Sequence, residues 1–230
     1  MTTREDWCAA CDGVVAKLLD AAGITAPPVD ALLIAQRLEW PVVWDRGQAG
    51  RARIHHLDGR PTLFVSPEHR PERLQWAVAH EIGEASAWPV CRDLGIAADE
   101  LLPRQREELA NQFAQRLLLP TAWFGASDND LFALKARFAT ASHELIAWRW
   151  LDRAEPTIVT VFDHGELTRR RCNFAARTPA MLPKERECAA EARDHRTVAD
   201  RTWPHGRCTA WAVHEPGWQR EILRTTVEWD

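Results

Sequence analysis

The chain has 230 residues, enough for one large domain or a domain with an appendage and enough to bury a sizeable core. Its 46% hydrophobic and 27% charged fractions are those of a soluble globular protein and exclude a disordered or fibrous chain. A formal net charge of -4 gives no overall pull toward nucleic acid or anionic membrane, and no apolar run approaches the ~20 residues of a membrane helix. The polar start, MTTREDWCAACDG, lacks the apolar stretch of a signal peptide, so the expected location is the cytoplasm. A first helix is predicted over 6–22, stopping at Gly23 ahead of Pro27 and Pro28, and a short second one over PVDALLIAQRLEW. Cys8 and Cys11 form a lone C-x-x-C with no second pair at similar spacing. The other four cysteines are scattered, so all six are read as reduced, structural thiols.

After PVVWDR, the stretch RARIHHLDGRPTLFVSP has two extended runs around Asp58-Gly59, the signature of a hairpin. A small antiparallel sheet therefore stands directly before the next helix, which starts near Pro71 and stops before Pro89. Leu74, Val78, Ile82 and Ala85 form its apolar stripe, while Trp76, His80 and Glu84 share another face. A further helix runs from Pro103 to Pro120, and another helical stretch from about Leu131 to Leu151. Beyond Pro156 the pattern alternates, with a turn at Asp163-His164-Gly165 and a strand-like tail. Residues 178–202 show no convincing apolar periodicity. The expected organisation is one domain over 1–155 and a β-rich appendage over 156–230.

The stretch His80-Glu81-Ile82-Gly83-Glu84 differs by one letter from H-E-x-x-H. In zinc proteases with that motif, two histidines one helical turn apart bind the ion and the intervening Glu acts as general base. Here His80 and Glu84 have the ligand spacing, and Glu81 stands where the base belongs. A Glu binds zinc, so the substitution is chemically possible. Two carboxylates would neutralise a 2+ ion, acidify water less, and suit manganese or iron better than a two-histidine set does. The competing reading makes Glu84 an exposed helix residue of a dead site.

Segments around this motif resemble the ImmA/IrrE family of metallopeptidases, in register over roughly Val14 to Leu151. PPVDALLIAQRLEW, HHLDGRPTLFVSP, ERLQWAVAHEIGE, EELANQFAQRLLLP and LKARFATASHELIAWRW carry the likeness. The resemblance implies an α+β, zincin-like fold of the minigluzincin type, with the small antiparallel sheet packed on the His80 helix. It also implies a third metal ligand, Glu107, with Glu108 as its alternative, in a site holding zinc, or manganese or iron. The strand TLFVS is then expected to flank the cleft and pair with an extended peptide.

Two function classes follow. One is a metal-dependent endopeptidase that, like the family it resembles, cleaves a regulatory protein such as a helix-turn-helix repressor; His80, Glu84 and Glu107 hold the metal and Glu81 activates water. The other is an inactive scaffold of the same type that binds or senses a regulator. Direct binding of nucleic acid or membrane is not expected: Arg169-Arg170-Arg171 lie on a predicted strand and read as a solvated edge. The twelve tryptophans are read as core and packing residues.

Overall fold

The structure is a computed structural model describing residues 3–48, 50–57, 59–125 and 129–228. The chain divides into two compact units, residues 1–128 with 135–142, and residues 129–134 with 143–230. Among the described residues, no helix is long and apolar enough to cross a membrane.

The first unit begins with α1 (Arg4–Ala21), opened by a capping box in which Thr3 and Asp6 exchange backbone bonds, and α2 (Ala31–Arg37), capped by Asp30. Its sheet holds β1 (Val42–Trp44), β2 (Ala52–Leu57) and β3 (Arg60–Val65) in the order β1-β3-β2. The β2–β3 pair is the predicted antiparallel hairpin. Of its turn residues, Asp58 lies outside the described residues and Gly59 takes the left-handed φ of +77°. β1 was not anticipated as a partner and joins β3 in parallel, which makes the sheet mixed. Next come α3 (Pro71–Ala85), the short α4 (Ala87–Asp93) and α5 (Pro103–Leu118), the long helices both carrying proline in the first turn as the sequence implied. Gln75 pins α2 to α3: its Oε1 accepts from the Ala31 N–H at 2.7 Å and its Nε2 donates to Asp30 at 2.8 Å.

The stretch predicted as one helical run from Leu131 to Leu151 is broken into α6 (Leu131–Arg137) and α7 (His143–Arg149). Lys135 Nζ donates to the Ala139 and Ala141 carbonyls at 2.6 and 2.9 Å, so a side chain takes acceptors that a continuing helix would have bonded itself.

In the second unit, β4 (Thr157–Asp163), β5 (Glu166–Cys172), β6 (Val198–Trp203), β7 (Gly206–Ala212) and β8 (Arg220–Val227) form one antiparallel sheet in the order β5-β4-β8-β7-β6. This matches the β-rich reading, but α8 (Pro183–His195) lies where no periodicity was found. Its buried face consists of Glu185, Cys188, Ala189 and Ala192, small residues and one charge instead of a Leu/Ile stripe. They pack on Phe162, Ala199, Cys208, Ala210 and Leu223 of the sheet.

Glu185 is fully buried and reads as the anchor of α8. It accepts from Arg170 at 2.9 and 3.2 Å, from the Leu182 N–H at 2.8 Å, and from Thr225 Oγ1. Arg170 is therefore not part of a solvated edge. Strand alternation turns it inward to Thr160 and Glu185, while Arg169 pairs with Glu144 and Arg171 lies over the Trp148 ring. Removing one partner of a buried pair leaves the other charge uncompensated, so Arg170→Ala is expected to lower the urea-unfolding free energy by about 3–5 kcal/mol.

All six cysteines are free thiols, four of them buried, and burial pushes Cys11 up to about 12. Under native conditions at pH 8, a thiol-titrating disulfide reagent is expected to modify only half-buried Cys8 and Cys172 promptly, and all six after denaturation.

Candidate metal centre

A glycine sets the geometry of the site. A Cβ on Gly83 of α3 would stand 2.8 Å from the Ala110 carbonyl oxygen and 3.1 Å from Phe113 Cβ on α5. The two helices approach this closely because Gly83 has no side chain. Val78, Ala79 and Ile82 from α3 and Ala110, Phe113 and Ala114 from α5 are fully buried, so burial of apolar surface drives the contact. His80 and Glu84 flank the glycine, and Glu107 lies one helical turn before Ala110.

This crossing brings His80, Glu84 and Glu107 together: one ligand atom from each lies within 4.8 Å of the others. His80 Nε2 stands 3.6 Å from Glu84 Oε1 and 3.6 Å from Glu107 Oε2. Glu108, the alternative ligand, is instead bonded to Arg104 at 2.9 Å and lies outside the group. The His80 side chain is 16% exposed, whereas Glu84 and Glu107 are 47% and 59% exposed, so the cluster is open on its carboxylate side.

Asn111 ties two of the three together, a role that the reading of the sequence did not assign. Its Nδ2 donates to Glu107 Oε1 at 3.1 Å, and its Oδ1 lies 3.2 Å from His80 Nδ1. A carboxylate only accepts, so the amide NH2 must face Glu107 and the amide oxygen must face the ring. Nδ1 then carries the proton, and the lone pair on Nε2 is directed toward the two carboxylates. The available signal was spacing: Glu107 and Asn111 are four residues apart and share a helix face.

These residues fit a divalent cation. The 3.6 Å separations are too long for hydrogen bonds, yet tetrahedral coordination with bonds of about 2.0–2.2 Å has ligand–ligand edges of about 3.3–3.6 Å. Two carboxylates and a neutral imidazole also leave negative charge gathered at one point, which a cation would offset.

Glu81 is buried at 9% exposure on the side facing the sheet. Burial, and then the Glu84 carboxylate, push its carboxyl above the ordinary range, opposed by His80 and by a hydrogen bond with the Ile54 backbone. Ile54 pairs with Leu63 in a position where the Leu63 N–H turns away to Pro41, so the Ile54 N–H points off the open edge of β2. The free edge beside Glu81 is thus β2. The strand TLFVS was expected to pair with a peptide, but it forms β3, which is bonded to β1 on one side and β2 on the other and has no edge to offer.

The family described as "IrrE N-terminal-like domain", a peptidase family, matches residues 36–150, half of the chain. Among solved structures, a Mycobacterium tuberculosis transcriptional regulator is similar in fold, with a TM-score of 0.66 at 18% identity over 95% of this chain and 75% of that one. A search of curated protein sequences finds no match. The α+β architecture, with the His80 helix packed on a small sheet, is zincin-like.

Gly83→Val is expected to force α3 and α5 apart, costing about 1–3 kcal/mol of stability in denaturant unfolding. Asn111→Ala is expected to leave the fold intact and weaken binding of zinc about 10–100-fold in a competition titration against a chromogenic chelator.

Proposed function

Because the chain belongs to the IrrE N-terminal-like peptidase family, we propose that it is a metal-dependent endopeptidase acting on a regulatory protein, with a helix-turn-helix transcriptional repressor as the substrate class. The convergence of His80, Glu84 and Glu107, with the Nε2 lone pair turned inward by Asn111, carries this reading. The similar fold of a transcriptional regulator supports a regulatory setting. Residues 1–155 would form the peptidase domain and 156–230 an appended region.

His80, Glu84 and Glu107 would hold the ion, zinc first, with manganese or iron suited to the oxygen-rich set. When bound, such an ion polarises a water and the scissile carbonyl. Glu81 would take a proton from the attacking water and deliver it to the departing amine nitrogen, a task suited to a carboxyl held above its ordinary range. The open edge of β2, where the His56 N–H follows that of Ile54 by alternation, would align an extended substrate segment. The second reading, an inactive binding scaffold, draws support from Glu84 itself, since a second carboxylate weakens the ion's acidifying effect on water.

Mass spectrometric metal analysis is the first test. Purified wild-type chain should carry about one ion per molecule, and Glu84→Ala and Glu107→Ala should lose most of it. Wild-type chain that stays metal-free after loading with zinc, manganese and iron would rule out the protease. Glu81→Gln should keep its metal and lose cleavage of a co-expressed repressor; retained function in that variant would favour the scaffold.

A further inference from the structure

The sheet of the second unit buries one face beneath α8, through Cys208, Ala210 and Leu223. Alternation along the strands sends Arg207, Thr209, Trp211, Arg224 and Thr226 to the opposite face. There they line a cavity of about 270 Å³, completed by β6 and the residues just before α6.

Arg224 is the residue out of balance in this cavity. It is 9% exposed, its guanidinium lies over the Trp150 ring at 5.5 Å, and its Nη2 pairs with Glu155, whose side chain is half-exposed. Its Nε is buried without a hydrogen-bond partner. Among the described residues, Nη1 makes no hydrogen bond either, and it is not buried. Burial depresses the guanidinium below its ordinary value, the mark of a cation short of compensating charge.

Each of the acids that line the cavity has one carboxylate oxygen engaged by protein donors. Asp200 Oδ1 accepts from Arg207 Nε and Nη2 at 3.2 and 2.9 Å and from Thr209 Oγ1 at 2.6 Å. Asp130 Oδ1 accepts the Phe132 and Ala133 N–H groups at 2.8 and 3.0 Å. Among the described lining residues, the one buried side-chain polar atom without a hydrogen-bond partner is a donor, the Arg224 Nε. A guanidinium with open protons in a partly desolvated cavity is matched by a carboxylate. Trp211, 2% exposed, and Val198 offer apolar surface to the remainder of a ligand.

We propose that this cavity is a binding site for a small organic carboxylate, with its oxygens on Arg224 and its body between Trp211 and Val198. The volume admits about a dozen non-hydrogen atoms. The site lies wholly within the second unit and stands or falls independently of the metal centre.

The test uses the full chain, titrated with acetate, butyrate, succinate and benzoate, and with benzamide as the uncharged counterpart of benzoate. Heat and tryptophan fluorescence are the readouts, since Trp211 lines the cavity and Trp150 packs against its ring at 5.3 Å. At least one carboxylate should bind saturably at one site, and its amide should bind at least about tenfold more weakly. Arg224→Gln should weaken binding similarly. Because that variant removes the ion pair with Glu155, Thr226→Phe provides a second probe that fills the cavity and leaves that pair in place. Loss of binding in Thr226→Phe with unchanged circular dichroism would support the site. Failure of all four carboxylates with wild-type chain, or undiminished binding in Thr226→Phe, would overturn it.

Discussion

The close crossing of α3 and α5 at Gly83 is the constraint on which the candidate centre depends. A methyl group at that position would overlap the Ala110 carbonyl, so the helices would separate and Glu107 would recede from His80 and Glu84. The two carboxylates and the Nε2 lone pair oppose this approach, because they repel one another without a cation, and only the hydrogen bond from His80 Nδ1 to Asn111 favours it. The apolar contact around Val78, Ile82, Ala110 and Phe113 therefore has to hold the electrostatic cluster in place. The candidate site is positioned mainly by the core and not by its own charges.

Buried charge is handled in two ways. In the second unit, Glu185 is surrounded by Arg170, Thr225 and a backbone N–H, so its charge is fully compensated and the group fastens α8 to the sheet. In the first, Glu81 is buried with one backbone hydrogen bond and an adjacent like charge, which raises its affinity for a proton. The first arrangement fastens an element, whereas the second leaves a buried carboxyl held above its ordinary range. Arg224, also in the second unit, departs from the Glu185 pattern, as a buried guanidinium whose Nε has no acceptor.

Where sequence patterns went astray, the cause was packing chemistry that periodicity does not record. α8 was invisible because small residues and Glu185 form its inner face, and alanine and cysteine packed on a sheet leave no apolar stripe. The run from Leu131 to Leu151 looked continuous, but Lys135 takes the carbonyls that would have carried the helix on. TLFVS has a strand's composition, and composition cannot distinguish a central strand from an edge one; the parallel addition of β1 decided that. The arginine triplet was correctly placed on a strand, yet only the location of Glu185 shows which of its members turns inward.

By itself, the sequence determined that a helix starting near Pro71 would place His80 and Glu84 one turn apart, since helical spacing is local and needs no partner. Resemblance across several ordered segments pointed to Glu107 and to a metallopeptidase-type fold. Only the tertiary structure decided that Glu107 and not Glu108 faces His80, that Asn111 sets the ring tautomer, and that β2 is the open edge beside Glu81. These depend on how two helices cross and which strands pair, and such contacts between distant residues are set by packing of the whole core.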